Sequence, residues 1–344
     1  MRRRGIITGG TWCVDRNKLV DFWPQEDGIT RIRSEERLGG GSGCNLAVDI
    51  KQLDPDFPIE TIGLVGDDDD GHFLAALADS RGIERHQMHF TRAAPTSYTD
   101  AFASYATGRR THLYYPGTSA LLTPDHFDFS ATAMRILHLG LPGVHERMDA
   151  PWQGEANGWT AVLKRARAQG LETNLELCSV DEATLAALVR PCLPYLDLLI
   201  VNDVEMGAIA GVPTLRDGAT DIAACVRAAR QALEVGAMRI AVAHFPAGAV
   251  AVARTGEAIT RPSLRVPETE IKGANGAGDA FAAGFLYATH ENWPISDSLA
   301  LAHAVAGASL RSMSTTGSVE SWRRCLELAR AWGERELESP GVTG

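Results

Sequence analysis

Between residues 134 and 313 short apolar runs alternate with longer helical patterns, and this rhythm constrains the fold more than any other feature. MRILHLG (134–140), LETNLEL (171–177), LDLLIVN (196–202), RIAVAHF (239–245) and GAVAVAR (248–254) read as strands. WTAVLKRARAQG (159–170), IAACVRAARQALEVG (222–236) and SDSLALAHAVAGASLRSM (296–313) read as helices. The strands are almost wholly apolar rather than alternating, which is the pattern of strands covered on both faces. The same rhythm appears upstream. GIITGG (5–10) and IETIGLVG (59–66) read as strands, GHFLAALADSRG (71–82) as a helix, and LGGGSGCNLAVDIKQL (38–53) as a glycine-rich loop opening a helix. The expected class is therefore α/β, a mostly parallel sheet sandwiched between helices.

Two segments break the rhythm. Residues 12–37 and 96–116 carry Trp12, Phe22, Trp23, Phe102 and Tyr105, and 97–117 reads as an antiparallel hairpin turning near Gly108. They are expected to form a small β-sheet lid beside the main sheet. Residues 1–335 then make one large domain, and 336–344 a flexible tail after a frayed helix end. With 33 basic against 43 acidic residues the net charge is -10, which argues against a nucleic-acid or anionic-membrane surface. The six cysteines are scattered with no CxxC or Cys/His cluster, which suits unpaired thiols in a reducing cytoplasm. The basic start lacks an apolar core long enough for a signal peptide, and no apolar run is long enough to span a membrane.

The stretch GANGAGDAF, Gly273 to Phe281, is the strongest candidate for chemistry. A helix starting near Gly276 leaves first-turn N–H groups without partners. Gly276, Ala277 and Gly278 scarcely cover them, and the helix dipole adds partial positive charge. Such a turn suits an oxyanion or a migrating phosphoryl group. Asp279 sits beside it, placed to take a proton from an attacking hydroxyl. An aspartate in a first turn also favours a helix by itself, so this stretch alone leaves both readings open.

Gly276–Asp279 resembles the GAGD signature of the PfkB family, the ribokinase-like sugar and nucleoside kinases, and the resemblance runs along nearly the whole chain. GGGSGCN (39–45) is similar to the family's GGxxxN substrate loop through Gly40, Gly41 and Asn45. GLVGDDDDG (63–71) fits GxVGxDxxG, and Asp68 is structural in that resemblance, so the acid run reads as a turn and helix cap rather than a metal cluster. Asp15 falls where the family places a sugar-binding aspartate. Asn202 to Glu205 fits NxxE, which implies that Asn202 and Glu205 organise Mg2+ mostly through water. The resemblance further implies a ribokinase-like three-layer fold, with Gly248, Asn275 and His303 near the nucleotide.

Three departures stand out. The family pattern is usually DTxGAGD, and its leading Asp–Thr is Gly273–Ala274 here, which puts potassium activation in question. AHFPAG (243–248) keeps only Gly248 of a glycine pattern that lines nucleotide phosphates in relatives. Glu176 stands where some sugar-acid kinases carry an arginine, which argues against a carboxylated substrate. The resulting expectation is an ATP- and Mg2+-dependent kinase of a small sugar. In it Asp279 is the base, Gly276–Gly278 the anion hole, and Asp15, Gly40, Gly41 and Asn45 the substrate holders. Trp12, Phe102 and Tyr105 either touch the sugar or form lid core and a homodimer seam. Arg92, Arg109, Arg110 and Arg147 either meet an anionic substrate group or face water. The alternatives are a nucleoside kinase and a sugar- or nucleotide-binding protein without turnover.

Overall fold

The computed structural model describes residues 3–107, 109–178 and 180–337. Its centre is a nine-stranded sheet. From edge to edge it runs through Ala258–Pro262, Gly248–Ala253, Ile240–Phe245, Leu198–Asn202, Glu172–Leu175, Ile136–Gly140, Ile6–Gly10, Ile59–Gly66 and Glu84–Thr91. The pairings from Ile240–Phe245 to Glu84–Thr91 are all parallel, and the two outermost on the other side are antiparallel. Alternate residues of each strand feed opposite cores. Leu198, Ile200, Ile240 and Val242 pack with Leu46, Ile50, Phe281, Phe285 and Leu301, from helices Ser42–Leu53, Ala277–His290 and Ile295–Ser309. Leu199, Val201, Ala241 and Ala243 pack the other face, with Val162, Leu185, Met206 and Ala228 from helices Gly158–Ala168, Glu182–Val189, Asp203–Ala210 and Ile222–Val235. The expected three-layer sandwich follows from this two-sided burial.

The segments expected to form a lid make a four-stranded sheet, in the order Ile32–Gly40, Cys13–Val20, Tyr98–Ser104, Arg110–Tyr115. The hairpin pairs antiparallel as expected, and its first strand joins Cys13–Val20 in parallel. The turn residue Gly108 lies outside the described residues, as do 338–344 of the expected tail. Two expectations change here. Leu38–Gly40 belong to a strand rather than a loop, because Gly39 and Gly40 pair with Val14 and Cys13. Residues 333–337 are not helical. Gly333 turns at φ +72°, and Glu334 bridges to Leu264. Among the described residues no helix is long and apolar enough to cross a membrane.

Candidate active site

The parallel strands all end on the side that faces the lid, and the site is built from those ends. Gly41, at φ +89°, swings the chain from its lid strand into the helix Ser42–Leu53. An added Cβ on Gly41 would stand 2.6 Å from the Thr11 carbonyl oxygen. On Gly40 it would collide with the Asp15 carboxyl group, so that glycine makes room for the acid. The next turn of the helix delivers Asn45, which is buried. Asp15, Gly41, Asn45 and Asp279 line one cleft together with Glu176 and the lid residues Thr99, Ala101, His112 and Tyr114. Burial, and then the Asp279 charge, push the Asp15 carboxyl up to about 6.

Opposite them, Gly276 is left-handed at φ +73° and caps the helix Ala277–His290. A Cβ there would stand 2.6 Å from the Thr315 carbonyl oxygen. Among the described residues neither the Gly278 nor the Asp279 N–H has an acceptor, so two donors open toward the cleft. Thr315 donates to Asn45 Oδ1 at 3.1 Å, and Asn45 Nδ2 donates to Asp279 Oδ2 at 2.7 Å. This chain aims the amide N–H at the aspartate. Burial and the neighbouring Glu176 charge raise the Asp279 carboxyl well above the usual carboxylate range.

Asn202 ends a central strand and caps the helix Asp203–Ala210. Its side chain accepts from the Glu205 N–H at 2.8 Å, and Glu205 Oε2 accepts from the Asn202 N–H at 3.0 Å. This reciprocal capping box is one reason the helix starts there. Both side chains also line the cleft and a second cavity beside it. Burial pushes the Glu205 carboxyl up to about 7. Among the described residues no group of three or more His, Cys, Asp or Glu is arranged to hold a metal directly. One carboxylate and one amide fit a magnesium ion that keeps most of its water.

The second cavity is largely apolar, with Val204, Leu264, Val266, Phe281 and Leu310 on its walls. His303 lines it, packs edge-on against Phe281 and, among the described residues, has no partner for Nε2. Ala274, Ala277, Gly278 and His244 form the seam with the cleft. Burial lowers His244 to about 4, so it is neutral there and offers at most one N–H to an anion. Asn275 faces the cleft side of the seam.

Several expected residues lie elsewhere. Gly248 pairs with Phe245 across a tight hairpin, and its bare Cα accommodates the Arg261 carbonyl rather than a cavity. Trp12 is core, and its Nε1 donates to Thr61 at 2.7 Å. Phe102 packs against Trp23, and Tyr105 is exposed beneath the Arg33 guanidinium. None of these three aromatics lines the cleft. Asp68 caps its helix, accepting from the Gly71 N–H and from Thr96, as the acid run suggested. Arg92 is exposed and pairs with Asp67. Arg110 Nη2 lies 2.8 Å from where a Cβ on Gly273 would stand, so the missing side chain at 273 leaves room for a lid arginine. Thr315 carries no motif, and Glu176 was legible only as a departure from relatives.

The architecture places the chain among ribokinase-like folds. It superposes on the structure of Arabidopsis thaliana ribokinase complexed with ribose and ATP with a TM-score of 0.79, at 18% identity, covering 95% of this chain and 99% of that one. The chain belongs to the pfkB family of carbohydrate kinases, whose model matches residues 9–322. It is 26% identical over 283 residues to an ATP-dependent ribose-1-phosphate kinase of Halopiger xanaduensis, covering 82% of this chain and 83% of the relative. It is also 26% identical over 308 residues to an adenosine kinase of Schizophyllum commune, with 83% of each covered.

Proposed function

We propose that this protein transfers the γ-phosphoryl group of ATP to a hydroxyl of a small sugar or sugar-like molecule. One observation carries the reading: Ala277 and Gly278 stand at the wall shared by a polar cleft and an apolar cavity, with Gly276 and Asp279 beside them in the cleft. An acceptor in the cleft and a nucleotide in the cavity would meet at that wall. Asp15 and Asn45 hold the acceptor's hydroxyls, which need paired donors and acceptors. The open N–H groups of Gly278 and Asp279 receive the charge on the migrating group. Asp279 takes the proton of the attacking hydroxyl. Asn202 and Glu205 hold the water shell of Mg2+, which neutralises phosphate charge when bound. His303 and the apolar wall take the base of the nucleotide. The lid carries Asp15, so its closure completes the site and excludes water.

A sugar is favoured over a nucleoside as acceptor because Trp12, Phe102 and Tyr105 lie away from the cleft, which leaves Tyr114 as the one Phe, Tyr or Trp side chain among the described residues on its wall. A binding protein without turnover is disfavoured because Asp279, Asn202, Glu205 and the open turn stand together. Six unpaired cysteines are in keeping with a cytoplasmic setting. The exposed lid-edge strand Arg110–Tyr115, with Leu113 and Tyr115 on its surface, is the face proposed for a homodimer.

The test is ADP release from magnesium-ATP across pentoses, hexoses, keto-sugars, sugar phosphates, sugar acids and nucleosides, with and without potassium. Turnover confined to sugars or sugar phosphates supports the reading. Turnover of nucleosides alone, or ATP binding with no turnover, sinks it.

A further inference from the structure

The lid strand Arg110–Tyr115 pairs with Tyr98–Ser104 so that Thr99 stands opposite Tyr114, Ala101 opposite His112 and Ala103 opposite Arg110. The first two pairs line the cleft. Alternate residues of a strand share a face, so Arg110 continues that row by one pair. Its guanidinium lies against the loop that leads into the anion turn: a Cβ on Gly273 would stand 2.8 Å from Arg110 Nη2. The next residue, Ala274, is on the wall shared by the cleft and the apolar cavity.

Arg110 is half-buried, and among the described residues its side chain has no ion pair and no hydrogen-bond partner. Four other lid arginines are engaged, Arg16 and Arg37 by Asp70 and Arg31 and Arg33 by Asp21. Arg109 is exposed. A guanidinium drawn partly out of water with nothing to bond is unfavourable unless a ligand supplies the acceptors. Burial lowers the Arg110 guanidinium with no acid to offset it, and arginine stays charged all the same. Positive charge is scarce around it. The cleft wall carries Asp15, Glu176, Glu205 and Asp279 and, among the described residues, no Lys or Arg. The one arginine on the cavity wall, Arg335, donates to the Leu264 carbonyl oxygen.

We propose that Arg110 is a catalytic residue carried by the lid, whose guanidinium bonds the phosphoryl group in transit beside the open N–H groups of Gly278 and Asp279. This rests on the phosphoryl-transfer reading. The position of Arg110 favours that group over an anionic substituent on the acceptor. Arg110 stands by the seam rather than on the cleft wall, and the four acids of that wall repel a second anion. In the step, the acceptor oxygen bonds the γ-phosphorus as its proton passes to Asp279. The bond from that phosphorus to the β,γ-bridging oxygen breaks, and its electron pair leaves with ADP. Arg110 keeps all its protons and offsets charge on the phosphoryl oxygens, two of which its fork can hold at once. Gly273 serves this by having no side chain: a Cβ there would crowd the guanidinium, and a carboxylate there would capture it.

Calorimetric titration with ATP and with ADP, beside single-turnover transfer, tests the assignment in Arg110→Ala, Arg110→Lys and Gly273→Asp. Arg110→Ala is expected to keep the ADP affinity, weaken ATP binding and slow transfer by about 10²-fold or more. Arg110→Lys retains a charge but not the fork, and should restore only part of the rate. Gly273→Asp should slow transfer when Arg110 is present and add nothing in Arg110→Ala. Transfer by Arg110→Ala at close to the wild-type rate would overturn the proposal. Equal losses of ATP and ADP affinity would also overturn it, as the mark of a merely structural arginine. So would a loss of rate confined to phosphorylated acceptors, which would place Arg110 on the acceptor instead. Absence of turnover on every acceptor would defeat the kinase reading, and the comparison of ATP with ADP binding would still decide whether Arg110 meets the γ-phosphate.

Discussion

Asp15 is held at the cleft with its carboxyl pushed from 3.8 up to about 6, first by burial and then by the Asp279 charge. Its native state therefore binds a proton more tightly than the unfolded chain. The stability this gives is complete at low pH and is lost as pH rises through about 6. Asp15→Asn should flatten the pH dependence of unfolding between about pH 4 and 6 and raise the melting temperature of the ligand-free protein near pH 7.5. It should also raise the acceptor KM. Thermal unfolding over a pH series checks this, and parallel wild-type and variant curves would contradict it. Residues inside contiguous motifs, Asp279, Gly276, Asn45 and Asn202, were legible from the sequence because their spacing is local. Glu176 was visible only as a substitution. Its contact with His138 joins two strand ends far apart in the chain, which no local spacing encodes. Trp12 was misplaced for a similar reason: its partner Thr61 belongs to another strand, and that pairing draws the indole into the core.

The strand Leu198–Asn202 and the helix Asp203–Ala210 meet at a residue with two tasks. Asn202 caps the helix through the Glu205 N–H and lines the seam between the cavities. Serine caps a helix nearly as well as asparagine. Asn202→Ala should lose about 1 kcal/mol, a fall of roughly 2 °C in melting temperature, and require more Mg2+ for half-maximal rate. Asn202→Ser should keep the stability and still shift the magnesium requirement. Calorimetry beside a magnesium titration separates the two, and an unshifted requirement in both variants would remove Asn202 from the metal site. At this scale the long apolar strands and long helices were legible, because both faces of the sheet are covered. The edge strands Glu84–Thr91 and Ala258–Pro262 were not, since exposed edges carry charges and short side chains. The eight-residue helices Glu182–Val189 and Asp203–Ala210 are too short for a 3.6-residue period to stand out.

For the whole molecule, the sheet supplies strand ends, the helices supply the anion turn and the asparagine, and the lid supplies Asp15. Pairing through the lid-edge strand Arg110–Tyr115 predicts a dimer in light scattering that Leu113→Lys dissociates; a wild-type monomer at all concentrations would contradict it. The account's central claim is that Asp279 performs the proton transfer at the seam between acceptor and nucleotide. A single-turnover comparison of wild type and Asp279→Asn, on the best acceptor found, tests it most directly, with ATP binding measured in parallel. The account predicts unchanged ATP binding and a phosphoryl-transfer rate lower by about 10²–10⁴. Transfer at close to the wild-type rate in Asp279→Asn would contradict it.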